Sequence, residues 1–149
     1  MSISRESRRY PKRPILGVGA LIFRRDRILL VQRGREPLKG YWSLPGGVLE
    51  VGEQLKEAVA SEVKEETGLD VEPAAVVEIF ERIMRDRAGR PKYHYVLVDY
   101  LCKPAGGELR PADDASQAAW VRMKELSRLR LTEGTLAVIE RAYARRSAK

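Results

Sequence analysis

The first clear pattern along the chain is an almost unbroken aliphatic run at residues 15–23, ILGVGALIF. A short run of this kind, without helical spacing, suits a strand buried on both faces. The charged block RRDR at 24–27 interrupts it, and ILLVQ at 28–32 resumes, so a hairpin is expected. A loop with Pro37, Gly34 and Gly40 follows, then a short extended piece, WSLPGG, at 42–47. Residues 53–67 contain neither glycine nor proline and place apolar side chains at 55, 58, 59 and 63. They stop at Gly68, a good left-handed terminator, so this is the clearest helix.

Residues 71–84 and 93–102 read as two more strands, joined across the polar segment 85–92 with Gly89 and Pro91. In the second, Tyr93, Tyr95, Leu97 and Asp99 alternate with His94, Val96, Val98 and Tyr100. Residues 104–114 are expected to be loop, 118–123 a short strand and 132–145 a final amphipathic helix. Strands on both sides of a central helix, with a second helix at the end, predict an α/β (α+β) layered domain.

Bulk properties refine this only a little. A chain of 149 residues, 44% of them hydrophobic, suits one domain with one sizeable core. That domain is expected over 14–149, behind a basic, flexible or loosely attached segment at 1–13. No apolar run approaches the ~20 residues that span a bilayer, and no export signal is evident. The lone cysteine, Cys102, forms no internal disulfide, and a reducing cytoplasm is the expected compartment. Lysine and arginine total 28 against 21 acids, a net charge of +7. The basic residues are scattered and not interleaved with aromatics, which disfavours a nucleic-acid groove and leaves the steering of a small anionic substrate. A homodimer is left open.

The chemistry is concentrated on the helix at 53–67. On a wheel of ~100° per residue, Leu55, Ala58, Val59 and Val63 make an apolar stripe expected to face the sheet. Glu62 and Glu66 fall within that stripe, and Glu65 flanks it. Burying unpaired carboxylates is unfavourable. Like charges three and four residues apart repel, and the C-terminal end of a helix disfavours negative charge. A hard divalent cation removes all three penalties, and carboxylates without imidazole or thiolate favour Mg2+ or Mn2+ over Zn2+. Taken alone, the cluster could also be an exposed acidic patch answered by arginines.

The surrounding residues change that balance. The chain reads Gly47-x5-Glu53-x7-Ser61-Glu62-Val63-x-Glu65-Glu66-x-Gly68-Leu69. This resembles the Nudix box, G-x5-E-x7-R-E-U-x-E-E-x-G-U with U aliphatic, at every fixed position except Ser61, where the family has arginine. The WSLPGG lead-in and the later Trp120-Val-Arg-Met-Lys-Glu-Leu126 also resemble family segments, so the likeness runs from about Pro14 to Tyr143. It implies a mixed β-sheet sandwiched between helices and metal-dependent hydrolysis of a diphosphate linkage in a nucleotide. ADP-ribose, nucleoside diphosphate sugars and nucleoside triphosphates are all open as substrates. It also implies Glu62, Glu65 and Glu66 as Mg2+ or Mn2+ ligands, with Glu53 a further one and Gly47 offering its carbonyl.

In relatives the box arginine helps to hold the acids by charge pairing, which Ser61 does not do. Another basic residue could serve instead, or the site is looser. The alternative is a weakened module that binds or senses nucleotide. Glu65 or Glu66 is favoured as general base, because Gln117 stands where some relatives carry a glutamate; Asp113 and Asp114 are weaker candidates. Arg33 and Arg35 are candidates to grip phosphate, and Trp42, Tyr93 and Tyr95 to stack on base or ribose. His94 is read as structural or surface. The proline that marks ADP-ribose pyrophosphatases is missing, since Met84 and Arg85 occupy its place. The lead-in and the 93–102 strand still look most like that broad group.

Overall fold

The computed structural model describes residues 8–110 and 115–147. Strand β1 (Ile15–Arg24) turns through Arg25, which has a positive φ of 57°, into β2 (Arg27–Arg33), as the aliphatic–charged–aliphatic pattern predicts. Two short strands follow, β3 (Trp42–Ser43) and β4 (Gly46–Val48), and then helix α1 (Leu55–Thr67). Strands β5 (Leu69–Arg85) and β6 (Pro91–Gly107) form a long antiparallel hairpin, and β7 (Ala115–Arg122) leads through a 3-10 turn (Met123–Arg128) to α2 (Thr135–Ser147).

The sheet is mixed. Its main path runs β3-β2-β1-β6-β5, with β4 paired to β1 and β7 paired to β2. Strand β1 is antiparallel to β2 and β4 but parallel to β6. Alternation along β1 divides the core into two layers. Val18, Ala20 and Ile22 join Ala58, Val59 and Val63 of α1 in one buried cluster. Leu21 and Phe23 join Val138, Ile139 and Ala142 of α2 in the other. The sheet is thus covered by a helix on each face, the layered domain the sequence predicts.

Several boundaries differ from expectation. Helix α1 starts at Leu55 and not at residue 53, because Gln54 is its N-cap in extended backbone, and the Glu57 carboxylate accepts the Gln54 N–H at 2.9 Å. Its end at Gly68 is as predicted, with φ 80° and a backbone bond from the Gly68 N–H to the Lys64 carbonyl. The segment expected to be loop from 104 is still strand as far as Gly107, since β5 continues pairing with it down to Leu69. Helix α2 begins at Thr135, after Gly134 turns with φ 83°, rather than at residue 132.

Candidate functional site

One cleft of about 850 Å³ lies along the sheet beside α1. That volume falls in the usual range for a small-molecule site. At one end β4 lays its glycines under the acidic turn of α1. A Cβ on Gly47 would overlap the Glu62 carboxylate, so only glycine allows this approach. Glu66 Oε1 accepts the Gly46 N–H at 2.7 Å. The apolar stripe of the wheel therefore ends sooner than expected. Ala58, Val59 and Val63 are buried, whereas Glu62 and Glu66 are half-buried against β4 and Glu65 is exposed.

Electrostatics mark Glu62 as the strained member. Its carboxyl is pushed up to about 7, first by burial and then by Glu65, Glu53 and Glu50, with Arg8 opposing. Glu53 is not on the cleft wall; its Oε1 accepts the Glu50 N–H at 2.9 Å, closing the turn before α1. Among the described residues, no three acids are already drawn together closely enough to hold a metal ion. The donor chemistry nevertheless suits one. Several carboxylates share one turn, one of them is held against its own ionisation, and a glycine backbone lies directly beneath it.

The other candidates divide. Arg33, Arg35, Tyr93 and Tyr95 all line the cleft, with Glu62, Glu65, Glu66 and Gly47. The rings of Tyr93 and Tyr95 stack at 6.4 Å, and burial raises the Tyr95 hydroxyl pKa, partly offset by Arg8 and Arg33. Arg33 Nε is turned back onto the Pro37 carbonyl at 2.7 Å. Trp42 does not reach the cleft wall. It packs on the α2-side core, donates its N–H to the Arg130 carbonyl and accepts from the Thr132 N–H, so its bulk serves that core. Gln117 is exposed and pairs with Gln32 across the β2–β7 ladder, while Asp113 and Asp114 lie outside the described residues.

The opposite wall holds groups that the motifs alone do not single out. Asp99 on β6 is only 6% exposed and lines the cleft with Phe80 and Arg82 of β5. Burial pushes its carboxyl up to about 6, with Glu78 adding and Arg82 opposing. Burial also lowers the Arg82 pKa, Arg33 next. The alternation of Tyr93, Tyr95, Leu97 and Asp99 was the available signal, because it sets all four on one face. Arg8 and Arg9 reach the cleft too. Their neighbour Tyr10 is fixed by its N–H to the Lys92 carbonyl at 2.8 Å and its hydroxyl to Asp86 at 2.9 Å. Among the described residues no helix is long and apolar enough to cross a membrane.

Comparison with known proteins agrees with this arrangement. A model of the NUDIX domain matches residues 13–142. An ADP-ribose pyrophosphatase of Methanocaldococcus jannaschii is 35% identical over 116 residues, covering 78% of this chain and 66% of its own. The 8-oxo-dGDP phosphatase NUDT18 of Homo sapiens is 37% identical over 99 residues, covering 64% of this chain and 28% of its own. The chain therefore spans less than two thirds of the length of either curated relative. A crystal structure of a MutT NUDIX hydrolase from Burkholderia pseudomallei superposes with a TM-score of 0.77 at 32% identity, covering 87% of this chain and 98% of that one. With the box on α1 and β4, the layered sheet, and a family pattern running through nearly the whole described fold, this chain belongs to the Nudix family.

Proposed function

We propose that this chain hydrolyses a diphosphate linkage in a nucleotide derivative, of the ADP-ribose, nucleoside diphosphate sugar or nucleoside triphosphate class, with a divalent metal ion. The observation that carries the reading is the Glu62 carboxylate lying on Gly47, hindered in its ionisation by burial and by neighbouring acids. Glu62, Glu65 and Glu66, with Glu53 nearby and the Gly47 carbonyl beneath, are the residues that would hold Mg2+ or Mn2+. When bound, the ion supplies neutralisation of phosphate oxygens and a more acidic water. The relatives named for ADP-ribose and 8-oxo-dGDP both act on diphosphate-bearing nucleotides, which agrees.

The chain's own groups do the rest. Arg35, with Arg8 and Arg9 across the cleft, offers guanidinium donors to the phosphates. Tyr95 and Tyr93 provide an aromatic wall against which the nucleotide is oriented. Glu66 is engaged by the Gly46 N–H, which fixes its carboxylate, while Glu65 presents its carboxylate to solvent at the cleft wall. Of the two acids favoured as general base, its exposure at the cleft supports Glu65 as the one to take the proton from the attacking water.

The test is nucleoside monophosphate release from a nucleotide panel with and without Mg2+, for the native chain and Glu66→Gln. The variant keeps an oxygen to accept the Gly46 N–H, so its fold is expected to stand. Release is expected to require the ion and to fall by about a hundredfold or more in the variant. An unchanged rate in Glu66→Gln removes that residue from the chemistry, and no release from any nucleotide ends the hydrolase reading.

A further inference from the structure

The acidic turn of α1 accounts for one end of the cleft and leaves Asp99 unexplained. This carboxylate is only 6% exposed, yet among the described residues nothing hydrogen-bonds or ion-pairs with it. Because it lines the cleft, a donor that enters there can reach it. Space has been kept for it. Asp99 pairs with Gly19 across the parallel β1–β6 ladder, and a Cβ on Gly19 would overlap its Oδ1.

Beside it stands a basic group with a buried donor to spare. Arg82 donates through one terminal nitrogen to the Glu133 carbonyl at 2.9 Å, but its buried Nε has no acceptor. The Arg82 guanidinium lies 5.4 Å from the Phe80 ring, and Phe80 and Leu97 are cross-strand partners on the same wall. The far end of the cleft thus combines the side chains of Phe80 and Leu97, one spare N–H donor and a carboxylate. Gly46, Gly19 and Asp99 are successive cross-strand partners. At about 4.8 Å per strand, the Asp99 backbone lies two strands, roughly 10 Å, from the glycines under the acidic turn, with its carboxylate leaning back toward Gly19.

We infer that Asp99 reads the base of the bound nucleotide, with Arg82 beside it, and selects a purine whose edge presents a carbonyl next to two adjacent N–H donors. Guanine has that edge. Adenine offers a single amino donor beside a bare ring nitrogen, which an ionised carboxylate repels, since it has no proton to give. Phe80 is occupied in holding Arg82, whose guanidinium lies over its ring while the Gly134 backbone packs against it. The inference rests on the nucleotide reading above and narrows it. Among the diphosphate classes left open there, guanine-bearing members are taken and adenine-bearing ones disfavoured.

The experiment is calorimetric titration of the full chain with GDP and with ADP at pH 7.5 in metal-free buffer, for the native protein and Asp99→Asn. The native chain is expected to bind GDP at least about tenfold more tightly than ADP, the scale of one good bidentate base contact. The substituted amide carries one acceptor and one donor group in place of two acceptors, so the preference is expected to disappear or turn toward ADP. Equal native affinities, or an equal loss for both nucleotides in the variant, overturn the inference. If the variant fails to fold, the native GDP-to-ADP ratio decides alone. Turnover is measured separately. A purine preference without hydrolysis sinks the hydrolase reading only, and hydrolysis without a purine preference sinks the base-reading role only.

Discussion

The two ends of the cleft use the same device for different ends. At each, a carboxylate is seated over a glycine that leaves it no Cβ to meet: Glu62 over Gly47, Asp99 over Gly19. Each is pushed toward neutrality, to about 7 and about 6, and burial is the first cause in both. They differ in company. Glu62 is surrounded by further acids, Glu65, Glu53 and Glu50, a concentration of negative charge of the kind the proposed cation would offset. Asp99 has one acid, Glu78, which is already paired with Arg141, and one base, Arg82. A lone acceptor pair of that kind suits a neutral donor edge. Burial alone therefore does not identify a carboxylate's task; the charge around it does.

The largest effect expected from breaking this comparison is at the crowded end. Gly47→Ala drives a Cβ into the Glu62 carboxylate and pushes it off β4. Displacements of about 1 Å at a reacting centre cost about a hundredfold in rate, and a loss of that size is expected in the nucleotide panel with the fold retained by circular dichroism. A rate within a fewfold of native would show that Glu62 need not sit on Gly47.

At the isolated end the larger effect is on stability. The Asp99 carboxyl has a raised pKa in the fold, so its contribution is fully present below the unfolded value of about 3.9 and is lost as pH rises through about 6. Asp99→Asn removes that dependence. Each pH unit separating the folded from the unfolded pKa is worth about 1.4 kcal/mol. The variant is therefore expected to be more stable than native by about 2–3 kcal/mol at pH 7.5 and no more stable near pH 3.5. Urea melts at the two pH values measure it. A variant that is destabilised at pH 7.5 would mean that the carboxylate is satisfied in the fold, and the case for an arriving base would lose its premise. Gly19→Ala sharpens the same point with a smaller effect. Its Cβ displaces Oδ1, and GDP affinity is expected to fall about tenfold while ADP affinity stays put, an effect on the scale of one base contact. Equal weakening of both would assign Gly19 to the strand and not to the base.

These two ends were unequally legible in the sequence. The helix, its stop at Gly68 and the gathering of the box acids follow from local spacing, because side chains on one helical turn recur three and four residues apart. The hairpin of β1 and β2 was equally readable, since aliphatic runs and a charged turn are local signals. Asp99 was visible only as one member of an alternating row. Its burial depends on Gly19, distant in sequence and brought alongside by a parallel pairing that no local pattern encodes. Trp42 failed in the opposite sense. An aromatic next to a glycine-rich lead-in looks like a stacking platform, but the backbone of residues 130–132 pairs with it and draws the ring into the core over α2. The reach of β6 to Gly107 was hidden as well, because strand length there is set by β5 and not by the polar residues of 103–107.

The smallest expected effect concerns the one departure from the family box. Ser61 is exposed on α1, four residues before Glu65 on the same helical face. An arginine introduced there would meet the acids from the solvent side, where an i,i+4 pair is worth only about 0.2–0.5 kcal/mol. Meanwhile Arg8 already opposes the upward shift of the Glu62 pKa from the cleft side. That contribution is the smallest of those acting on Glu62, so any substitute it offers for a box arginine would be partial. Ser61→Arg is accordingly expected to raise the hydrolysis rate by no more than about twofold, with the gain fading as salt screens an exposed pair. In an Arg8→Ala background the same substitution should give a larger gain, since the two cations then no longer share one task. Additive effects across that cycle would mean that Arg8 and position 61 act on different groups, and an unchanged or lower rate in Ser61→Arg alone would show that the acidic turn is not loosened by the serine.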